Sequence, residues 1–131
     1  MAVVELTNET FERTISGNSL VLVDFWAPWC GPCRNFAPVF EASAARHADA
    51  VFAKVNTDEQ QKLAANFEIQ SIPTLAIFRE QICVFAQPGA LPASALEEII
   101  QRVKALDMDD VRRRIAEYEA NGAAEEESAE S

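Results

Sequence analysis

Leu20-Val21-Leu22-Val23-Asp24-Phe25-Trp26 runs through Ala27 and Pro28 into Trp29-Cys30-Gly31-Pro32-Cys33, and Phe36, Val39, Phe40 and Ala44 follow. The nearly continuous apolar run reads as a strand covered on both faces, as in the middle of an α/β sheet. The later apolar residues recur at helical spacing, which predicts a helix from Cys33 to about Ala48, kinked rather than ended by Pro38. Two thiols therefore lie one helical turn apart where a strand becomes a helix. A thiol in a first helical turn meets unpaired N–H groups and the positive end of the helix dipole, so its thiolate is favoured. Cys30 is the predicted nucleophile, exposed and more acidic than Cys33. Cys33 faces the same side and can attack a mixed disulfide at Cys30, releasing a reduced partner. Pro32 suits the first turn, where the N–H it lacks has no partner.

Half of a zinc site is the competing reading of C-x-x-C. A structural zinc needs four ligands, and beyond this pair the chain offers only Cys83 and His47, both distant in sequence. A purely structural disulfide belongs to small Cys-rich secreted scaffolds, and three cysteines in 131 residues do not make one. With 131 residues, 49% of them hydrophobic, the chain can bury the core of one domain and has no room for two ordinary domains. Met1 to Glu9 lacks a basic region followed by a long apolar stretch, and no later segment approaches a membrane span, so a cytoplasmic, reducing location is expected. The net charge of −10 argues against nucleic acid or an anionic membrane as partner.

Val3 to Leu6 reads as a strand. Thr7 or Asn8 is placed to cap a helix from about Glu9 to Ser16, with Phe11 and Ile15 on its apolar face. Val51 to Val55 is the next strand, and Thr57 or Asp58 is placed to cap a helix carrying Leu63, Ala64 and Phe67. Thr74 to Phe78 and Ile82 to Ala86 read as antiparallel neighbours, and a helix starts near Pro92 with Leu96, Ile99, Ile100 and Val103. Cys83, inside an alternating strand, reads as a small buried apolar residue. His47, near a helix end, favours that end of the dipole and is assigned no chemistry.

From about Val3 to Val103 the chain resembles the thioredoxin family. The resemblance rests on Val23-Asp24-Phe25-Trp26-Ala27, Trp29-Cys30-Gly31-Pro32-Cys33, Ala37-Pro38, Ala53-Lys54-Val55-Asn56, Ile72-Pro73-Thr74 and Pro88-Gly89-Ala90-Leu91, in that order. It implies an α/β thioredoxin fold, with a central mixed β-sheet of about five strands flanked by about four helices and the dithiol at its edge. It further implies a thiol–disulfide oxidoreductase that reduces protein disulfides in cell redox homeostasis, recharged by an NADPH-dependent flavoprotein reductase, with no bound cofactor and no metal. A monomer is expected. Asp24, two residues before Trp26, would take the proton from Cys33, because burial raises a carboxyl's pKa. Read without the resemblance, it is a strand-end Asp facing solvent. Lys54 matches the lysine beside that carboxylate and would favour its ionised form. Ile72-Pro73 matches a loop with a cis peptide bond that faces the dithiol. Trp29, Gly31, Pro32, Ile72, Pro73 and Gly89 would form a shallow apolar surface around Cys30 for flexible protein substrates.

The chain departs from the family at several points. Arg34 stands where many relatives carry Lys, Pro28 where a polar residue is common, and Pro88 precedes Gly89. Phe78-Arg79-Glu80-Gln81-Ile82 lacks an Asn-Gly turn, so a looser hairpin is expected there. Two other functions stay open: a disulfide oxidase or isomerase of the same fold, which Gly31-Pro32 argues against by resemblance, and a non-catalytic interaction or folding-aid module.

Residues 107–131 hold three basic and nine acidic side chains and stand apart from the domain, residues 1–106. Asp107 is placed to cap a helix carrying Met108, Val111, Ile115 and Tyr118 on one stripe, with Asp109–Arg113 and Asp110–Arg114 pairs opposite. This extension is expected over residues 107–122, stopped by Asn121-Gly122, with a disordered acidic tail at 123–131.

Overall fold

The computed structural model describes residues 2–130, and the side chains of 2–122. Its elements in chain order are β1 (Val3–Glu5), α1 (Phe11–Gly17), β2 (Leu20–Trp26), α2 (Gly31–Arg46), β3 (Val51–Asn56), α3 (Gln61–Asn66), β4 (Thr74–Arg79), β5 (Ile82–Pro88), α4 (Ala93–Lys104) and α5 (Met108–Glu130). The strands form one sheet in the order β1-β3-β2-β4-β5. β1, β3 and β2 run parallel, and β4 and β5 continue the sheet antiparallel. β2 is therefore central, which is why its sequence is apolar on both faces.

Side chains alternate across a strand, and the two faces of β2 build two cores. Leu20 and Leu22 join Phe52, Leu75 and Ile77 of the sheet beneath Phe36, Phe40 and Ala44 of α2 and Leu96, Ile100 and Val103 of α4. Val21, Val23 and Phe25 join Ala53, Val55, Ala76 and Phe78 beneath Phe11 and Ile15 of α1 and Leu63 of α3. Each fully buried Leu or Phe contributes roughly 1.5–3 kcal/mol, so Leu22→Ala, in mid-core, costs about 2–5 kcal/mol. By the same alternation Asp24 shares a face with Leu22, on the α2 side of the sheet. That places a carboxyl group under the helix that begins at the dithiol.

Two helices begin later than the sequence suggests. Thr7 to Thr10 form a turn, with the Thr7 N–H donating to Thr10 Oγ1 at 2.9 Å, and α1 starts only at Phe11. Before α3, Asn56 Oδ1 accepts from the Asp58 and Glu59 N–H groups at 2.9 and 3.4 Å, so an Asx turn takes the donors expected to be capped by Thr57 or Asp58. The β4–β5 hairpin is a tight turn. Glu80 and Gln81 hold φ of 50° and 73°, the paired positive values of a type I′ turn, without the expected Asn-Gly. Salt bridging of Glu80 to Arg112 and donation of the Glu80 N–H to the Ser19 carbonyl at 2.8 Å fix that turn in place of glycine.

Asp107 caps α5, its Oδ1 accepting from the Asp109 and Asp110 N–H groups at 3.1 and 3.2 Å. Arg114 pairs with Asp110 as expected, whereas Asp109 pairs with Arg112 rather than Arg113, which turns to Asp110. The helix does not stop at Asn121-Gly122 and runs to Glu130. A glycine inside a helix costs only about 1 kcal/mol, and the Ala and Glu residues that follow are strong helix formers. The helical backbone continues as far as Glu130, through the stretch expected to be a disordered tail at 123–131. Ser131 lies outside the described residues.

Candidate active site

Cys30 is the N-cap of α2, with φ −84° and ψ 112°, and its Sγ accepts from the Cys33 N–H at 3.2 Å. The cap residue is a cysteine where Ser or Asp is usual, so the first-turn N–H groups point at sulfur. Cys30 and Cys33 are joined as a disulfide, with Cα atoms 5.2 Å apart. Pro32 lies in the first helical turn, as its missing N–H allows. A Cβ built on Gly31 meets nothing within 4 Å, so the approach to Cys30 past this residue is open.

Cys30 is not exposed. Only 4% of its surface is accessible, against 2% for Cys33, because the pair clusters with Ala27, Trp26 and Ile72. What separates the two sulfurs is their place on the helix, Cys30 at its mouth and Cys33 one turn inside.

Asp24 is 4% exposed, and its Oδ1 has no hydrogen-bond partner among the described residues. Burial pushes the carboxyl up to about 7, opposed in part by the Lys54 ammonium. The solvent-facing reading of Asp24 is excluded by its position on the central strand. Lys54 is its register partner on β3. The ammonium also lies 5.1 Å from the centroid of the Trp26 ring, a cation–π distance. Asp24, Cys33, Lys54, Trp26 and Glu41 line one cavity of about 90 Å³. The carboxyl and the inner sulfur thus share one space, with a cation at its edge.

The peptide bond between Ile72 and Pro73 is cis, and the Ile72 carbonyl lies 3.7 Å from Cys30 Sγ. Pro73 is buried and does not form part of the accessible surface, its carbonyl accepting from the Gly89 N–H at 2.8 Å. Gly89 has φ +113°, a conformation that favours glycine, and Pro88 pairs with Thr74 at the end of β5. The remaining members of the predicted surface are open: Trp29 is 67% exposed, Pro32 and Gly89 are exposed, and Gly31 and Ile72 are partly so. Arg34 Nη1 donates to the Pro28 carbonyl at 3.0 Å, which ties both departures to one contact beside the dithiol.

Asp58 was not legible as a site residue. Its carboxylate receives the Trp29 indole N–H, at 3.0 Å to Oδ2 and 3.3 Å to Oδ1. Thr57 is bolted to the Trp26 carbonyl by its N–H at 2.8 Å and its hydroxyl at 3.1 Å. The usable signal was topological, since neighbouring parallel strands gather their C-terminal ends, and the loops after them, on one edge of the sheet.

A buried pair of cysteines at a helix mouth, backed by a carboxyl held near neutral pKa, defines a dithiol–disulfide exchange site. The thioredoxin family model matches residues 2–102, and the chain belongs to the thioredoxin family. It is 56% identical over 117 residues to a putative thioredoxin 2 of Streptomyces coelicolor, covering 89% of this chain and 87% of that protein. It is 47% identical over 97 residues to a thioredoxin of Alicyclobacillus acidocaldarius, covering 73% and 92%. Among solved structures, a mutant thioredoxin from Halobacterium salinarum matches with a TM-score of 0.74 at 34% identity, over 80% of this chain and 93% of that one. The chain is a thiol–disulfide oxidoreductase acting on protein substrates. Among the described residues, no helix is long and apolar enough to cross a membrane.

Proposed function

We propose that the protein reduces protein disulfides, with Cys30 as nucleophile and Cys33 as resolving thiol. The observation that carries this reading is the N-cap position of Cys30, whose sulfur already receives the Cys33 N–H. A thiolate there keeps that donor and gains from the helix dipole. It attacks one sulfur of a substrate disulfide, the S–S bond breaks, and the first substrate sulfur leaves as thiolate and takes a proton from water. Asp24 in its ionised form then accepts the Cys33 proton, and the Cys33 thiolate attacks Cys30 Sγ. The mixed disulfide breaks, the second substrate sulfur leaves, and the Cys30–Cys33 disulfide remains. The lowered proton affinity that Lys54 imposes on Asp24 keeps the carboxylate form available near neutral pH.

Trp29, Gly31, Pro32, Ile72 and Gly89 offer the docking surface, with Pro73 beneath it. The Ile72 backbone beside Cys30 suits an extended substrate segment added by main-chain contacts. Regeneration by an NADPH-dependent flavoprotein reductase, in a reducing cytoplasm and with the protein as a monomer during turnover, completes this reading.

Three measurements test it. Limited alkylation of the reduced protein at neutral pH is expected to label Cys30 first, and Cys33→Ser is expected to hold substrates as mixed disulfides through Cys30. Preferential labelling of Cys33 reverses the assignment. Equilibration against thiol buffers is expected to give a strongly reducing potential, and a value in the range of strong disulfide oxidants rejects the direction of transfer.

A further inference from the structure

The chain leaves α3 through a residue that does not suit its backbone. Ile69 donates its N–H to the Ala64 carbonyl at 2.9 Å and Glu68 donates to the Ala65 carbonyl at 3.0 Å, the paired bonds of a Schellman helix end. The first residue past such an end takes the left-handed conformation and is usually glycine, because a Cβ there crowds the backbone. Here it is Glu68, with φ 52°. Glu80 meets the same cost in the β4–β5 turn and gains an ion pair with Arg112. Glu68 gains no such return: it is exposed and has no ion pair among the described residues.

That carboxylate borders a groove of about 250 Å³ between the end of α3 and β5. Phe67 and Ile69 give the groove apolar walls, Gln70 a neutral polar one, and Glu68 is the only charged residue of its lining among those described. Ser71 and Thr74 line it too and bracket Ile72-Pro73, so the groove adjoins the docking surface beside Cys30. Apolar walls ending at a carboxylate suit a side chain with an apolar stem and a cationic head. In an extended segment every second side chain points the same way, so the residue two from a substrate cysteine also faces this surface. Ile72 and Glu68 are four residues apart, at most about 14 Å of chain. A two-residue step along the segment covers about 7 Å of that, and a lysine stem spans the remainder.

We propose that Glu68 is a specificity residue that favours protein substrates carrying a basic side chain two residues from the reactive cysteine. The selection rests on the reduction at Cys30 proposed above and adds a preference among its substrates. The basic side chain lays its stem on Phe67 and Ile69 and brings its charge to the Glu68 carboxylate. Because that carboxylate stands in water, the preference is modest and weakens with salt. The local backbone is then less stable than a glycine would make it, in exchange for a charge placed beside the substrate path.

Stopped-flow reaction of the reduced full chain with three cysteine peptides, each a mixed disulfide with thionitrobenzoate, tests the proposal. One peptide carries lysine two residues before its cysteine, one two residues after, and the third glutamine at both places. At low salt and pH 7 one of the lysine peptides is expected to react about threefold faster than the glutamine peptide, with the gap closing at about 0.5 M salt. A net charge of −10 attracts any cation, so the variants carry the decision. Glu68→Gln and Glu68→Gly are expected to bring the peptides level, Glu68→Asp to keep most of the preference, and Glu68→Lys to reverse it. Glu68→Gly is also expected to raise the Tm, since glycine relieves the left-handed conformation. Equal rates for the three peptides in the parent overturn the proposal, as does a preference that survives Glu68→Gln or a Tm that falls with Glu68→Gly. A glutamine peptide that reacts no faster with the parent than with Cys30→Ser overturns the reduction reading itself.

Discussion

The carboxyl of Asp24 is pushed up to about 7 from an ordinary 3.8, with desolvation as the larger cause and the Lys54 charge opposing it. Between those two values the folded protein keeps a proton that the unfolded chain has released. Stability therefore falls as pH climbs through that window and stays at its lower level above it. Asp24→Asn removes the burden. The oxidised variant is expected to resist urea better than the parent at pH 8, by on the order of 3 kcal/mol, with the gap closing near pH 4. A gap that does not change with pH contradicts the burial account. The same substitution should slow release of reduced product more than formation of the mixed disulfide, read by rapid quench, because the proton it handles is that of Cys33. The dithiol was legible in the sequence, since helix position alone separates its two sulfurs. The exposure of single residues was less so. Cys83 is exposed rather than buried because a bulge opposite Ile77 and Phe78 breaks the alternation of β5 at the sheet edge, and burial of the thiol itself still raises its pKa.

Among the elements, α2 and α4 are joined by more than their apolar faces. His47, buried at the end of α2, stacks on Phe52 and contacts Glu97 through Nε2 at 2.8 Å and Lys104 through Nδ1 at 2.9 Å. Lys104 has only donors, so Nδ1 accepts and Nε2–H donates to the Glu97 carboxylate. Lys104 also reaches Asp49 at 2.8 Å. Glu97 is held below its ordinary 4.5, chiefly by the His47 hydrogen bond. A depressed carboxyl stabilises the fold above its unfolded pKa and loses that contribution as pH falls through the folded value. Glu97→Gln is thus expected to lower the Tm at pH 7 and to have little effect in acid, below the lowered folded pKa; an equal loss at both would assign the effect to packing instead. Arg79 closes the far end of α4, its Nη1 donating to the carbonyls of Val103 at 2.8 Å, Lys104 at 3.2 Å and Leu106 at 2.7 Å. Arg79→Met should cost about 1–3 kcal/mol in denaturant unfolding, and a neutral result would show that water replaces the guanidinium freely. Element type and order were readable because periodicities of two and 3.6 alternate cleanly along this chain. The starts of α1 and α3 were not, because Thr7, Thr10 and Asn56 spend their side chains on turns that precede the helices. The His47 network joins residues about fifty positions apart, and no local pattern announces such a contact.

At the scale of the whole molecule, the chain is a domain that does chemistry with an appended helix whose beginning alone is packed against it. Truncation after Leu106 removes the buried Met108 and the Arg112–Glu80 pair. It should lower stability by about 1–3 kcal/mol while leaving disulfide reduction intact, and loss of turnover in a still-folded truncation would make α5 part of the active site. The end of that helix was the least legible feature, since composition tells whether a segment can build a core and not whether it can stay helical. The central claim is that catalysis passes through the sulfur at the mouth of α2. It is tested most directly by following reduction of a protein disulfide with a dithiol regenerating system, comparing the parent with Cys30→Ser. The parent is expected to turn over and the variant to fall to the uncatalysed rate while remaining folded by circular dichroism. A variant as active as the parent would contradict the account.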